Sequence, residues 1–199
     1  MTDAFGSMED GDARYEWFAH LVRSRRTSMF VEPERDVPPE VVQELCGLAQ
    51  WAPNHKKTWP WRFAYFTGEG RRRLGETMVA DMVDADFGDD AKRSKTRTKY
   101  LRTPGVLVVG CEPHANEMLH IENRDAVAAG IQNLLLGATA LGLASFWSTP
   151  ALTRPPRVLD LCGFGRDDRV VGMIYLGWSD GRAVDTPERP PMPITLVTA

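Results

Sequence analysis

Cysteine is scarce in this chain of 199 residues, and its placement excludes several kinds of site. Only Cys46, Cys111 and Cys162 occur; they are widely spaced, and no Cys-x-x-Cys pair is present. Neither a disulfide framework nor a cysteine zinc site is therefore supported. A reducing compartment fits this cysteine usage best, and we predict a cytoplasmic location.

A strong net charge and a long apolar run are also missing. The net charge is −3 at pH 7 and the pI is about 5.8, so no overall basic field attracts nucleic acid or a membrane. Residues 1–12 contain no apolar signal core. The longest apolar stretch, residues 126–147, contains Gln132, Asn133 and three glycines, which favours a buried helix over a membrane span. We predict neither a nucleic-acid nor a membrane partner.

Signatures of several enzyme classes are absent as well. The chain has no GxSxG nucleophile motif, no P-loop and no GxGxxG fingerprint. His114 and His120 lie six residues apart without an HExxH pattern, so we predict no metal site. The basic run 92–102 follows five aspartates, which favours a solvated helix face, although it could also attract an anionic reductant.

The length fits one domain, and the apolar spacing predicts its elements. Helices are predicted at 12–23, 39–51, 123–141 and 155–161, with one helix or a helix pair over 71–100. Strands are predicted at 62–66, 106–111, 144–147 and 170–176, and a turn at Gly68–Gly70. This order lacks a regular βαβ alternation and favours an α+β fold. We predict a flexible N-terminal tail over 1–11, a folded domain over 12–180 and an extended C-terminal tail over 181–199 that packs on another surface.

Two polar segments and one helix carry the candidate chemistry. Arg25, Arg26 and Thr27 follow the first helix, where guanidinium groups either bind a phosphate or only complement the helix dipole. The connection Ala52–Phe63 crowds two prolines, two tryptophans, an asparagine and His55 into twelve residues. Its tryptophans, together with Trp51, either wall a planar apolar pocket or belong to the core. The helix predicted at 123–141 is rich in small residues and apolar nearly all round, so it is a core helix that could also pack against a second subunit.

Four motifs occur in a fixed order along nearly the whole domain. They are Arg25-Arg26-Thr27, Ala52-Pro53 with Pro60-Trp61-Arg62-Phe63, the stretch 129–142 with Gln132-Asn133, and Val171–Gly177. Together they resemble the FMN-dependent nitroreductase family, and residues 53–56 and 147–152 are most similar to its minimal, short-chain subgroup. The resemblance implies a three-layer sandwich with a mainly antiparallel central sheet flanked by helices, assembled as an intertwined homodimer.

The same resemblance implies one FMN site at each subunit interface. By position, Arg25 and Thr27 would contact the FMN phosphate or ribityl chain, with Arg26 beside them. Trp51 and His55 would line the flavin from the neighbouring chain. The isoalloxazine edge would be framed by Trp147, Ser148 and Thr149. The stretch that the short subgroup associates with NAD(P) corresponds to Gly137, Ala138, Thr139, Ala140, Leu141 and Gly142.

Several positions depart from the family pattern. Lys57 and Trp59 stand where larger relatives carry Asn and Gln, two residues that commonly polarise the flavin ring. Trp51 replaces an Arg of the short subgroup, and Arg182 and Arg189 are not at the spacing of the C-terminal Lys-x-Arg clamp of larger members. These losses of phosphate contacts predict weaker retention of FMN.

The predicted function is that of an FMN-dependent NAD(P)H oxidoreductase. It would reduce nitroaromatic or quinone-type acceptors by alternating hydride half-reactions, with NADH or NADPH as the reductant. The flavin carries this chemistry, so we predict no catalytic side chain. The alternatives are a flavin enzyme of the same fold that performs dehydrogenation, dehalogenation or flavin fragmentation, and a non-enzymatic flavin-binding redox protein.

Overall fold

The computed structural model describes residues 11–198, which form six α-helices, one 3-10 turn and four strands. The helices are α1 Gly11–Ser24, α2 Pro39–Ala49, α3 Gly68–Asp84, α4 Asp90–Lys99, α5 Glu117–Ala140 and α6 Pro156–Cys162. The strands are β1 Trp61–Thr67, β2 Gly105–Cys111, β3 Leu143–Ser148 and β4 Arg169–Trp178. The predicted flexible tail lies outside the described residues, apart from Gly11 at the start of α1.

The four strands form one sheet in the order β1-β2-β4-β3, and each neighbouring pair is antiparallel. Every residue of β2 is buried, as expected for a continuous apolar run in a central strand. The two edges of the sheet are β1 and β3, and β3 also forms a single parallel bridge from Ser145 to Thr27.

Helices cover both faces of the sheet and create two apolar clusters. On one face, α2 and α5 contribute Leu45 and Leu134, which pack with Ile174 of β4. On the other face, α3 and α6 contribute Met78 and Leu159 to a second cluster. Burying side chains of this size stabilises the fold by about 1.5–3 kcal/mol each. The result is a three-layer α+β sandwich with an antiparallel central sheet, which confirms the predicted architecture.

Two predicted boundaries were wrong, and a positive φ explains one and a helix cap the other. Gly68–Gly70 is not a turn but the first residues of α3, because Gly68 adopts a φ of +48° and reverses the chain within one residue after β1. Helix α5 begins at Glu117, six residues before the predicted start. The side chain of Asn116 accepts a hydrogen bond from the Leu119 N–H at 3.1 Å and caps the helix there.

Two apolar regions of the described chain lie on its surface. Helix α1 exposes Tyr15, Trp17 and Phe18 to more than half of their full area. Residues 181–198 are extended without regular structure and expose the alternating apolar side chains Met192, Ile194 and Leu196. The predicted packing of this tail on another surface stays a prediction.

Candidate functional site

The segment that follows α1 lies along the edge of the sheet. Ser28 donates its N–H to the Ser145 carbonyl at 2.9 Å, and Thr27 pairs with Ser145 as an isolated parallel bridge. This pairing fixes the residues just before it, Arg25 and Arg26, next to strand β3. The sequence order arginine–arginine–hydroxyl therefore becomes a row of donors at one sheet edge.

Three guanidinium groups gather beside this edge. Burial lowers the pKa of Arg25, and the positive charges of the nearby Arg26 and Arg189 lower it further. Arg26 donates to the Arg25 carbonyl at 2.9 Å and to the Thr186 hydroxyl at 2.6 Å. Within residues 11–198 none of the three arginines forms an ion pair with a carboxylate. With Gln132 of α5, these arginines line a cavity of about 460 Å³ that is suited to an anion.

The sequence reasoning missed Arg189 as a member of this cluster. It treated the C-terminal clamp as lost because Arg182 and Arg189 lack the family spacing. The extended tail instead brings Arg189 against Arg25 and Val22, so a guanidinium reaches the same place from a different position in the chain. Spacing along an irregular tail carries no signal for such a contact.

Buried polar atoms without a partner accompany the cluster. The Ser145 hydroxyl is one of them, although the residue is only 2% exposed, and the Arg26 Nε is another. Leu143 packs in the cluster that contains α5, whereas Phe146 packs in the opposite one. Because side chains alternate along a strand, Ser145 and Trp147 face the α5 side of the sheet.

The end of β3 borders a second cavity, of about 210 Å³. The indole of Trp147 lies over the bare backbone of Gly172, where an added Cβ would come within 2.4 Å of the ring nitrogen. Trp147 and Thr149 line the cavity together with His120, Arg124 and Arg169. The structure therefore places two of the three predicted ring-edge residues in one cavity wall. The third, Ser148, is half-buried, with its hydroxyl 3.4 Å from the Thr149 carbonyl.

Cys111 forms part of the floor of the same cavity. Burial, with a smaller contribution from Asp168, raises the pKa of its thiol to about 11 against the opposing effect of nearby arginines. The thiol is therefore protonated at neutral pH and is a weak nucleophile. Cys111 acts here as a small apolar side chain.

One row of residues on α5 connects the two cavities. His120, Arg124, Ala128 and Gln132 follow each other at intervals of four, which places them along one side of the helix. His120 and Arg124 border the cavity at Trp147, whereas Gln132 borders the cavity at Arg25. At 1.5 Å per residue, Arg124 and Gln132 are about 12 Å apart along the helix axis. The row can therefore accompany an elongated ligand that has an anionic end.

The connection between α2 and β1 has an unusual backbone. Lys56, Lys57 and Trp59 all have positive φ values, of 59°, 52° and 53°. Such values are uncommon for residues other than glycine and are most costly for a bulky residue such as Trp59. Strain of this kind persists only where the surroundings fix it, and it concentrates at functional sites.

A hydrogen-bond network fixes the strained connection to α5. Asn54 donates to the Thr58 hydroxyl at 2.9 Å and accepts the Trp59 N–H at 3.0 Å. Thr58 donates in turn to Asn123 at 2.5 Å, and the buried Asn123 donates to the Glu112 carbonyl at 3.2 Å. The sequence reasoning missed Asn123, because nothing near it in the chain indicates a contact with residue 58.

His55 projects from this connection and pairs with α5. Its Nδ1 lies 2.7 Å from the Glu122 carboxylate, so this nitrogen carries the proton and Nε2 remains available on the surface. His55 lines a shallow cavity with Pro53 and Ala129, whereas Arg25 lines a different one. Trp51 is 78% exposed and Trp59 is 56% exposed, but Trp61 is a core residue at 6%. The structure thus removes Trp61 from the possible pocket walls.

The six residues of the predicted NAD(P) stretch occupy two environments. Gly137 lies against α2, where an added Cβ would come within 2.5 Å of Leu48, and Ala138 is fully buried. The others are partly or fully exposed at the end of α5. Thr139 and Gly142 line a cavity of about 450 Å³ with Arg26 and Arg182. Ala140 and Leu141 are exposed beside it.

Two further searches concern metals and membranes. Among residues 11–198, no group of three or more His, Cys, Asp or Glu side chains is arranged to hold a metal ion. In the same part of the chain, no helix combines the length and the apolar character that crossing a membrane requires.

Comparison with known proteins places this geometry in a family. The sequence matches the profile of the nitroreductase family over residues 22–178. The chain belongs to the nitroreductase family. The prediction made from the four motifs is therefore confirmed at the level of the family.

Individual nitroreductase relatives match along most of their length. "Putative NAD(P)H nitroreductase YdjA" of Escherichia coli (strain K12) is 28% identical over 179 residues, which cover 89% of this chain and 96% of the relative. The nitroreductase-like family protein of Bacillus cereus is 28% identical with a TM-score of 0.76, covering 89% and 95% of the two chains. A nitroreductase with bound FMN from Bacteroides fragilis has a TM-score of 0.72 at 21% identity, covering 90% and 98%, and shows the shared fold.

Proposed function

We propose that this nitroreductase is an FMN-dependent NAD(P)H oxidoreductase that reduces nitroaromatic or quinone-type acceptors. The observation that carries the proposal is the cluster of Arg25, Arg26 and Arg189, which no carboxylate among the described residues neutralises. The names of the relatives support the same activity, since they include NAD(P)H nitroreductases and FMN-bound nitroreductases. A fold neighbour, the FMN-dependent NfnB of Mycobacterium smegmatis, was crystallised with NADPH.

The described residues fit FMN at the phosphate end. A phosphate dianion beside β3 would receive charge-assisted hydrogen bonds from Arg25 and Arg189, with Arg26 and the Thr27 hydroxyl next to them. It would also relieve the mutual repulsion that lowers the pKa of Arg25. The Ser145 hydroxyl, buried without a partner on the same side, would donate to the polar chain of the cofactor.

The ring end of the cofactor would lie against Trp147, Ser148 and Thr149 at the end of β3. Bound FMN supplies the redox chemistry, because it accepts a hydride from NAD(P)H and passes electrons to the acceptor in alternating half-reactions. The contribution of the chain is to orient the ring and to exclude water with apolar groups such as Pro150 and Val171. Thr139 and Gly142, in their cavity with Arg26 and Arg182, are the parts of the NAD(P) stretch that could meet a reductant.

The site is completed by a second copy of the chain in this proposal. Trp51 and His55 lie on surfaces separate from the Arg25 cavity, so one chain does not bring all the predicted flavin contacts together. The exposed apolar side chains of α1 and of the C-terminal tail supply area that a homodimer would bury. We also keep the cytoplasmic location as a proposal, which the three free thiols support.

The decisive experiment is to purify the protein, add FMN, and record its visible spectrum after removing the free cofactor. We expect a yellow protein with one FMN per chain, and oxidation of NADH or NADPH that depends on an added quinone or nitroaromatic compound. A colourless protein that takes up no FMN would exclude the proposal. A yellow protein that does not oxidise either nucleotide would instead indicate a flavin-binding protein without this activity.

A further inference from the structure

We propose that the cavity at the end of β3 selects small aromatic acceptors that carry a carboxylate. This inference rests on the proposed flavin oxidoreductase activity and names the substrate class that the same site would prefer. The residues that carry it are Arg124 and Arg169, neither of which the sequence patterns indicate as functional.

The two guanidinium groups reach the cavity from different layers of the fold. Arg124 lies on the second turn of α5, and Arg169 is the first residue of β4. Both line the same cavity of about 210 Å³. Arg169 is tied to α5 through its Nη1, which lies 3.5 Å from the Nε2 of His120. The pairing keeps Arg169 beside the helix that carries Arg124.

Hydrogen-bond donors dominate the polar lining of this cavity. No aspartate or glutamate lines it. The neighbouring Asp168 is turned to other partners, since it accepts the Gly165 N–H at 2.8 Å and lies 3.8 Å from the Arg62 Nε. The closest carboxylate to Arg124 is that of the adjacent Asp125, at 3.9 Å and largely exposed to water.

His120 does not reduce the positive charge of this cavity. Its Nδ1 faces the His114 N–H at 3.4 Å, and its Nε2 faces the Arg169 guanidinium at 3.5 Å. Neither ring nitrogen is directed at a protein carboxylate among the described residues, so no carboxylate paired with His120 offsets the charge of the arginines. The cavity therefore offers two positive charges and the hydroxyls of Thr149 and Thr153 to whatever enters it.

The shape of the cavity indicates a flat and small ligand. The indole of Trp147 lies against Gly172, and Pro150, Val170 and Val171 provide the remaining apolar lining. A volume of about 210 Å³ is below the usual range for drug-sized ligands, which is about 300–1,000 Å³. A single aromatic ring can pack against the apolar lining beside the proposed flavin ring while its carboxylate accepts hydrogen bonds from a guanidinium fork. An aromatic carboxylate is a small molecule that provides both the flat apolar ring and the anionic group.

The test compares a charged acceptor, 4-nitrobenzoate, with its neutral methyl ester. For the FMN-loaded wild-type protein we expect kcat/KM to favour the acid by about tenfold or more, as one charge-assisted hydrogen bond would give. Arg169→Gln and Arg124→Gln should each reduce this ratio towards one, because the rate with the acid should fall more than the rate with the ester. Arg169→Lys, which keeps the charge, should retain part of the preference. Arg154→Gln is the matched control, because Arg154 is exposed and does not line the cavity.

A binding measurement separates selection from other effects of these arginines. Benzoate cannot be reduced, and we expect it to compete with the ester about tenfold more tightly than neutral benzamide, with the difference lost in Arg169→Gln. Equal inhibition by benzoate and benzamide, or equal losses of rate with acid and ester in the variants, would overturn the inference. Both results leave the flavin activity in place, whereas absence of FMN uptake, or no reduction of either acceptor, would contradict the proposed function itself.

Discussion

The two faces of the central sheet differ in whether their polar groups are matched, that is, whether they have a hydrogen-bond or ion-pair partner. On the face covered by α3 and α6, the buried Asp81 accepts the backbone N–H groups of Arg157 and Val158, at 3.2 and 3.0 Å, and also pairs with the Arg157 side chain. On the face covered by α2 and α5, Ser145 and Trp61 bury polar atoms without a partner, and the arginine cluster lacks a counter-ion among the described residues.

The unmatched groups indicate on which face of the sheet a ligand binds. Native proteins satisfy most buried polar groups, so several unmatched ones on the same side indicate missing partners. The separation is not complete, since the buried Tyr100 hydroxyl on the α3 side also lacks a partner. The α3 side also carries like charges, since burial and the nearby Arg102 lower the pKa of Lys99, but Arg93 and Arg157 on this side pair with aspartates. We therefore expect mutations on the matched face to affect stability, and mutations on the other to affect binding.

The largest effect should follow from Asp81→Ala on the matched face. The carboxylate holds the first turn of α6, which lacks a side-chain cap of its own, and its loss leaves the Arg157 and Val158 N–H groups without their acceptor. We expect the free energy of unfolding of the FMN-free protein to fall by about 3 kcal/mol, measured by urea denaturation. FMN affinity of the folded fraction should not change. Asp84→Ala, which removes the exposed second partner of Arg157, is the control and should have a much smaller effect.

On the unmatched face, Arg25→Ala should have the opposite character. Removing one guanidinium from a repelling cluster should leave the unfolding free energy of the FMN-free protein unchanged or slightly higher. FMN binding should weaken by about 1.5–3 kcal/mol because a charge-assisted phosphate contact is lost. Fluorescence titration with FMN measures this, with Arg73→Ala on the exposed surface of α3 as the control. Unchanged FMN affinity would remove Arg25 from the site.

The sequence predicts the layers of this fold better than it predicts the site. Periodicity locates β2, β4 and α5 because their buried residues repeat within a short window. No short-range pattern in the sequence indicates the cavity of Arg124 and Arg169. These two arginines are 45 residues apart in the sequence and come together only in the tertiary fold. The sequence also shows no sign of the positive φ values at residues 56, 57 and 59, because no glycine or asparagine occupies these positions.

Ser145→Ala tests whether an unmatched atom has a binding role. Removing a buried hydroxyl without a partner should raise the unfolding free energy of the FMN-free protein by about 1 kcal/mol. The same change should weaken FMN binding, because the hydroxyl would donate to the cofactor. Parallel urea denaturation and FMN titration measure the two effects, and Ser94→Ala on the exposed surface of α4 is the control for FMN affinity. A gain in stability without any loss of affinity would mean that Ser145 is only an imperfection of the core.

The smallest effect should come from relieving backbone strain at Lys57→Gly. The left-handed conformation costs a non-glycine residue about 1 kcal/mol, and glycine recovers part of this despite its greater freedom in the unfolded chain. We expect thermal and urea denaturation of the FMN-free protein to show a gain of about 0.5 kcal/mol. Lys95→Gly, inside α4, is the matched control and should lose about 1 kcal/mol. A loss at position 57 would show that its side chain stabilises the connection more than its conformation strains it.

Three consecutive residues on α5 contact three different parts of the molecule. Glu122 holds His55, Asn123 holds the connection through Thr58, and Arg124 borders the cavity at Trp147. Neighbouring residues of a helix point about 100° apart, so this arrangement depends on the exact phase of the helix at its second turn. Point substitutions here can be separated, but inserting or deleting one residue between Asn116 and Glu122 would rotate all three contacts at once. For protein engineering, the start of α5 is therefore a segment of fixed length, in which libraries can vary side chains but not spacing.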